Sequence, residues 1–297
     1  MNTSPSTPFR VAIEHGGLRN VGDIAMLWNT IRRIRRAVPG VRILVRGETD
    51  DPPVGFLESE QRYPSLLPVF RKLHQRACTS WRRRLPSAVR VRLAQVEAAT
   101  MYRTITRKRS RAATHRGNLH RNGYMPFLRS LSECDAFFVA GHGGVTEHWL
   151  YGTVYTIHTE AVAAKRNGKT VLLSGQGLGP LASRFGRAFV RRAFAQCDAA
   201  TVRDLDSQRF LERLGCTRHI RLGGDDAGDL PFSEESIRAR REELLASLPD
   251  GIQRIVALSI RPKASARRHP FDVQQPRDLI QPLANGRTAV VDRKSVV

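Results

Sequence analysis

Residues 135–144, DAFFVAGHGG, and residues 170–180, TVLLSGQGLGP, decide the fold. Each starts as a short apolar run and ends in closely spaced glycines. A run of that length, aromatic or β-branched and without polar alternation, reads as a strand buried on both faces. The glycines end it in a turn where the backbone can approach a ligand closely. A helix follows each turn: Thr156–Asn167, stopped by Gly168, and Phe185–Gln196. Upstream, Phe9–Glu14 (FRVAIE) is a strand running into His15, Gly16 and Gly17. The helix after it carries Ile24, Leu27, Ile31 and Ile34 at helical spacing and is closed by Pro39 and Gly40, and Val41–Val45 is a second strand. Downstream, Ala199–Val202 is a short strand, and Asp204–Leu214 is a helix closed by Gly215. Strand, glycine turn and helix in repetition predict an α/β fold. Its sheet is open, doubly wound and mainly parallel, and ligands bind beyond the carboxyl ends of its strands.

This pattern predicts a first domain over 9–248, after a Ser/Thr/Pro-rich N-terminus, 1–8, expected to be disordered. A charged helix over Ser233–Ser247 and a turn at Leu248–Gly251 lead to a fresh apolar strand, Arg254–Ile260. Residues 252–291 therefore read as the start of a second α/β domain, with too little chain to complete it. The last six residues, Asp292–Val297, are spelled by GAT CGG AAG AGC GTC GTG, part of a common sequencing-adapter oligonucleotide. The expectation is an adapter artefact at 292–297 and a native gene that continues into a full second domain.

The 297 residues carry 49 Lys+Arg against 27 Asp+Glu, a net charge of +22, with 41% apolar residues. That is the composition of a globular chain, not of a disordered one. No run approaches the roughly 18 apolar residues of a membrane-spanning helix, and the N-terminus has no apolar signal core. Four dispersed cysteines without a C-x-x-C pair argue against zinc and a disulfide framework and fit a reducing cytoplasm. Much of the charge lies in one stretch, Arg71–Arg121, with fifteen Arg and Lys against the single acid Glu97. Such a footprint suits a polyanion such as an anionic membrane face or an acidic glycan. Aromatic side chains for stacking bases are sparse there (Trp81, Tyr102) and no nucleic-acid motif accompanies them, so nucleic acid is not an expected partner.

Several turn residues are candidate site residues. Gly22 permits a tight turn between Asn20 and Asp23, and Asp23 either caps the following helix or bonds a sugar hydroxyl. The backbone of Gly141 and Gly143 can approach an anion, and His142 between them is a candidate acid or base. Gln176, between Gly175 and Gly177, is placed to hold substrate oxygens. Arg203, at a strand end, is a candidate clamp for a carboxylate or phosphate, with Asp204 or Ser207 as helix cap. Asp225 and Asp226 are candidates for sugar hydroxyls. No set of residues has metal-ligand spacing.

Taken in order, the motifs NVGDIAML (20–27), VAGHGGVTE (139–147), SGQGLGPL (174–181), VRDLDS (202–207) with FLERLG (210–215) and GDDA (224–227), and SIRP (259–262) resemble the polysaccharide pyruvyl transferase family. The resemblance covers residues 9 to 262. His142 stands where the family has the middle glycine of a triple-glycine turn, and Glu147 where it has Asp. The resemblance implies the N-terminal, Rossmann-like half of a two-domain, glycosyltransferase-B-like architecture. It implies transfer of a pyruvyl group from phosphoenolpyruvate, as a ketal, onto a glycan or lipid-linked saccharide of the cell surface. No cofactor is implied, since phosphoenolpyruvate is consumed as donor. Arg203 and Arg261 become the cationic donors for its carboxylate and phosphate, and His142 the acid–base group. A chain lacking the family's C-terminal active-site motif is expected to be inactive.

Two alternatives stay open: a nucleotide-sugar-dependent glycosyltransferase of two Rossmann domains, and a non-catalytic basic protein that binds polyanions. The arginine-rich segment is expected to serve engagement of an anionic membrane surface or glycan carrier, not the chemistry. Neutralising Arg82, Arg83 and Arg84 should weaken salt-sensitive association with anionic vesicles while sparing turnover on a soluble acceptor. Lost turnover with unchanged association contradicts that assignment.

Overall fold

The structure is a computed structural model and describes residues 8–18, 20–47, 55–57, 60–66, 96, 125–149, 153–248, 251–252, 254–258 and 288–292. The arginine-rich segment 71–121 (Val96 aside), Arg261 and residues 293–297 lie outside the described residues.

The chain divides into two units, 1–230 and 231–297. The first holds seven strands: β1 (Arg10–Glu14), β2 (Arg42–Gly47), β3 (Gln61–Pro64), β4 (Ala136–Val139), β5 (Thr170–Gln176), β6 (Ala199–Val202) and β7 (Ile220–Leu222). Its helices are α1 (Val21–Ala37), α2 (Met125–Ser132), α3 (Tyr155–Arg166), α4 (Arg184–Gln196) and α5 (Leu205–Arg213). The strands form one sheet in the order β3-β2-β1-β4-β5-β6-β7, and every pairing is parallel. This is the Rossmann-like α/β fold that the glycine-turn rhythm predicts. The order reverses between β1 and β4, which is where such sheets open a crevice for ligands.

Alternating side chains bury both faces. Val11, Ile13, Ile43, Val45 and Ala136 pack with Leu27 and Ile31 of α1. The intervening Ala12, Leu44, Phe137 and Val139 join the larger core formed with α2, α3, α4 and α5. A strand wrapped on both faces must be apolar throughout, which is why these runs are continuous. In α3, residues 155–164 are all buried, so its polar members Thr156, His158, Thr159 and Glu160 are carried into the interior.

The helices begin where capping chemistry allows. Asn20 caps α1, accepting from Gly22 N at 3.1 Å, and Ser183 caps α4 through Gly186 N. Asp204 caps α5, accepting from Ser207 N at 2.7 Å. Each satisfies an amide that the first helical turn leaves open.

The second unit contains α6 (Glu234–Ala246) and a parallel pair, β8 (Arg254–Leu258) with β9 (Thr288–Asp292). The division at 230/231 assigns α6 to this unit, whereas the sequence pattern places it in the first. Helix α6 buries no residue, so its charged sequence carries no mark of which core it serves. Asp292, the first residue of the adapter reading, ends β9 opposite Leu258. No helix among the described residues is long and apolar enough to cross a membrane.

Candidate functional site

The carboxyl edge of the sheet is organised by two charged side chains that lie directly on glycine backbone. The first is Asp226, in the loop after β7 and buried. Its carboxylate accepts from Gly141 N at 2.8 Å, from Ser174 Oγ at 2.6 Å and from Arg33 Nη1 at 3.1 Å. A β-carbon at Gly141 would come within 2.7 Å of Asp226 Oδ2, and one at Gly175 within 2.8 Å of its Cγ. Gly175 also has φ +53°, so only glycine meets both demands there without strain. Asn29 Nδ2 adds a bond to the Asp226 carbonyl at 2.7 Å. Burial pushes the Asp226 carboxyl above its ordinary range, against the lowering effects of Ser174, Gly141 and Arg33.

The second is Arg203. Its guanidinium lies across two glycines of different loops: a β-carbon at Gly177 would fall 2.5 Å from Nε, and one at Gly143 3.0 Å from Nη1. Nε donates to Asp204 Oδ2 at 3.1 Å. The terminal nitrogens have no acceptor among the described residues, and the side chain is 37% exposed. The amide of Gly143 has no partner among the described residues either. The result is a pre-positioned cation with a forked donor face open to solvent.

Beneath this edge lies a buried polar layer. Arg46, near the end of β2, donates to Glu14 Oε1 at the end of β1, and Tyr63 Oη of β3 donates to Glu14 Oε2 at 3.3 Å. Glu160 of α3 accepts from Ser65 Oγ at 3.1 Å and from Leu66 N at 2.6 Å. Burial and the neighbouring Glu14 raise the Glu160 carboxyl well above its usual range. Arg46 finds its counter-charge in Glu14, which is what a buried guanidinium requires. Three histidines line the same layer. Burial holds His142 down at about 3, assisted by the positive charges of His158, Arg46 and Arg203. Burial lowers His158 to about 4 and also lowers His15, next to Arg46.

A model of the polysaccharide pyruvyl transferase family matches residues 20–280 of the chain. The chain belongs to the polysaccharide pyruvyl transferase family. No curated protein matches it. Among solved structures it is similar to a Listeria monocytogenes protein described as a UDP-N-acetylglucosamine 2-epimerase, at 10% identity and a TM-score of 0.44. That match covers 96% of this chain and 62% of the other, so the chain spans less than two thirds of its length.

The family motifs sort into an open face and a buried frame. Asn20, Gly22 and Asp23 form a cap: besides accepting from Gly22 N, Asn20 donates to Asp23 Oδ2 at 3.2 Å, and Asp23 packs on Gly16, where a β-carbon would lie 2.8 Å from its Cγ. Gln176 is buried, and its two amide hydrogens go to Ala140 O at 3.0 Å and Ser174 O at 2.8 Å, with Val139 O sharing one of them at 3.4 Å. It splices β4 to β5 and has no donor left for substrate, contrary to its sequence assignment. His142, assigned as acid–base group, is buried, and burial holds its ring in the neutral form at physiological pH, so it carries no imidazolium proton. Asp225 is exposed and accepts from Ala227 N at 2.9 Å, while Asp226 is the frame. Glu147 accepts from Ser183 N at 3.0 Å, and Ser207 Oγ from Leu178 N at 2.8 Å. Gly141 and Gly175 seat Asp226, whereas Gly143 and Gly177 seat Arg203. Glu14, His15, Arg46, Tyr63, His158 and Glu160 escaped sequence reading. The only signals were charged groups closing the strands FRVAIE and RILVRG. Among the described residues no group of three could hold a metal ion.

The histidines predict a pH effect on stability. An unfolded histidine binds a proton near pH 6.5, whereas the folded His142 does so at about 3. Between those values the unfolded state holds more protons, so stability falls as pH is lowered from 6.5 toward 3. Glu160 acts in the opposite sense, since above about pH 4.5 unfolding releases its proton. Comparison of His142→Gln with the parent isolates the histidine. The loss of urea-unfolding free energy from pH 7.5 to pH 5.0 should shrink by about 2 kcal/mol in the variant. Identical pH dependence in both proteins contradicts a buried neutral His142.

Proposed function

We propose that the protein transfers a pyruvyl group from phosphoenolpyruvate to a sugar of a polysaccharide, forming a ketal, with Arg203 as the anion clamp for the donor. Membership of the polysaccharide pyruvyl transferase family supports the class of reaction. The observation that carries the residue assignment is the open guanidinium on Gly143 and Gly177 at the carboxyl edge.

In the reaction, two sugar hydroxyl oxygens form bonds to C2 of the enol phosphate and the C2–O bond to phosphate breaks. One hydroxyl proton ends on the methylene carbon, which becomes the methyl group, and the other leaves with phosphate. Both the carboxylate and the phosphate of the donor are planar-faced or multidentate anions that suit a forked guanidinium better than an ammonium. Arg203 binds one of them through its terminal nitrogens, while Nε stays anchored on Asp204. The bond from Asp204 fixes the plane of the guanidinium, and the two glycines fix its height above the loops. Preorganisation of this kind stabilises charge on the leaving phosphate without reorganisation during the reaction. On this reading the arginine-rich segment 71–121 serves the acceptor side, at an anionic membrane surface or glycan carrier.

Arg203→Lys keeps the charge and removes the fork. Titration calorimetry with phosphoenolpyruvate should show at least tenfold weaker binding, about 1.4 kcal/mol or more, with the melting temperature little changed. Equal affinity in the two proteins contradicts the clamp. Binding of a nucleotide-sugar in place of phosphoenolpyruvate would instead favour a glycosyltransferase.

A further inference from the structure

The backbone fixes the tautomers of two buried histidines in complementary senses. His158 Nδ1 lies 2.7 Å from Val154 O, and a carbonyl only accepts, so Nδ1 carries the hydrogen and Nε2 presents a lone pair. His142 Nδ1 accepts from Gly144 N at 3.1 Å, and a backbone amide only donates, so the hydrogen of His142 sits on Nε2. Both rings are 1% exposed, and neither Nε2 has a hydrogen-bond partner among the described residues. His158 is the leading charge neighbour of His142. The two elements are in contact as well. A β-carbon at Gly144 would lie 3.1 Å from Thr153 Oγ1, immediately before α3, and the Val154 bond places the His158 ring along the first turn of that helix.

One buried N–H and one buried lone pair, each unsatisfied, are both destabilising, and such groups are rare in native interiors. Here the two are of opposite kind. A single water that accepts from one and donates to the other satisfies both.

We propose that His158 is a positioning residue of the site: it is joined to His142 through one buried water and thereby holds the Gly141–Gly144 turn in the shape that seats Arg203. His142 grips the turn at two further points, since its Nδ1 accepts from Gly144 N and its carbonyl accepts from Gly177 N at 3.0 Å. Gly143 and Gly177 are the two glycines on which the guanidinium rests. Rotation of the His142 ring would release the Gly144 amide and let the turn drift under Arg203. The charged and titratable groups facing His142 are His158 of α3, Arg46 of β2, Arg203 after β6 and His15 after β1. His158, Arg46 and Arg203 disfavour a charged His142 ring, which preserves the tautomer pair.

The functional arm rests on Arg203 as donor clamp, whereas the tautomer arm does not. Long-range proton–nitrogen NMR of the 15N-histidine-labelled chain at pH 6 should show two neutral rings, His142 with the hydrogen on Nε2 and His158 with it on Nδ1. His158→Phe, which removes the acceptor, should free the His142 ring to turn off Gly144 N, so that it averages between tautomers, and weaken phosphoenolpyruvate binding about tenfold. His158→Gln, whose carbonyl restores an acceptor, should return both toward the parent. The opposite tautomer at His142, a charged His142 at pH 6, or a tautomer unaltered in His158→Phe overturns the proposal. If His158→Phe does not fold, the parent tautomers and the His158→Gln affinity decide it, and an affinity as low as that of Arg203→Lys overturns it. Absence of phosphoenolpyruvate binding by the parent protein would defeat the donor-clamp reading and the functional arm with it, leaving the tautomer pair to stand or fall on its own spectrum.

Discussion

The arrangement of the carboxyl edge depends on one buried carboxylate, Asp226. It draws Gly141 at the end of β4, Ser174 within β5 and Arg33 on α1 to a single point in the loop after β7. These segments are far apart in the chain and meet only because the sheet order brings β1, β4 and β5 side by side. Asp226 can reach them only where Gly141 and Gly175 carry no β-carbon. A carboxylate in that position accepts hydrogen bonds from backbone, hydroxyl and guanidinium together, which offsets the cost of burying it. The glycine turns are therefore packing surfaces for charged side chains as much as they are turns.

The same economy shapes the layer beneath. Glu14 pairs with Arg46, burial pushes the Glu160 carboxyl toward its neutral form, and burial lowers all three histidines. The interior of the edge thus carries little net charge, and Arg203 stands above it as an exposed cation with unused donors. A buried layer that repelled protons less strongly would place extra positive charge under Arg203 and blur the contrast. A frame of low charge beneath the open guanidinium of Arg203 suits the anionic donor proposed above.

Most of the sheet was legible. Ala199–Val202 matches β6 in full, and the other strands and helices that the glycine turns delimit lie within a few residues of their expected positions. Two strands were not. β3 (QRYP) has one buried apolar side chain, Tyr63, at the sheet edge, and β7 (IRL) has none fully buried. Neither offers a run long enough to stand out. The site was legible by place and misread by role. Gly141, Gly143, Gly175, Gly177 and Arg203 do gather at the edge, but nothing in AGHGG or SGQGLG distinguishes a side chain aimed outward from one aimed inward. Gln176 and His142 aim inward. Glu14, Arg46 and Glu160 were hidden for a different reason: their separations of 32, 114 and 146 residues have no local period, since only the parallel strand order brings them together.

The central claim is that the guanidinium of Arg203, seated on Gly143 and Gly177, is the anion site. Gly177→Ala tests it most directly. Gly177 has no positive φ that alanine would strain, and the three atoms nearest the new methyl all belong to the Arg203 guanidinium, Nε at 2.5 Å being first. The substitution therefore displaces the cation and leaves the fold in place. Calorimetric titration of Gly177→Ala with phosphoenolpyruvate should show binding weakened about tenfold or more, with the melting temperature within about 4 °C of the parent. Unaltered affinity in a protein of unaltered stability would contradict the account.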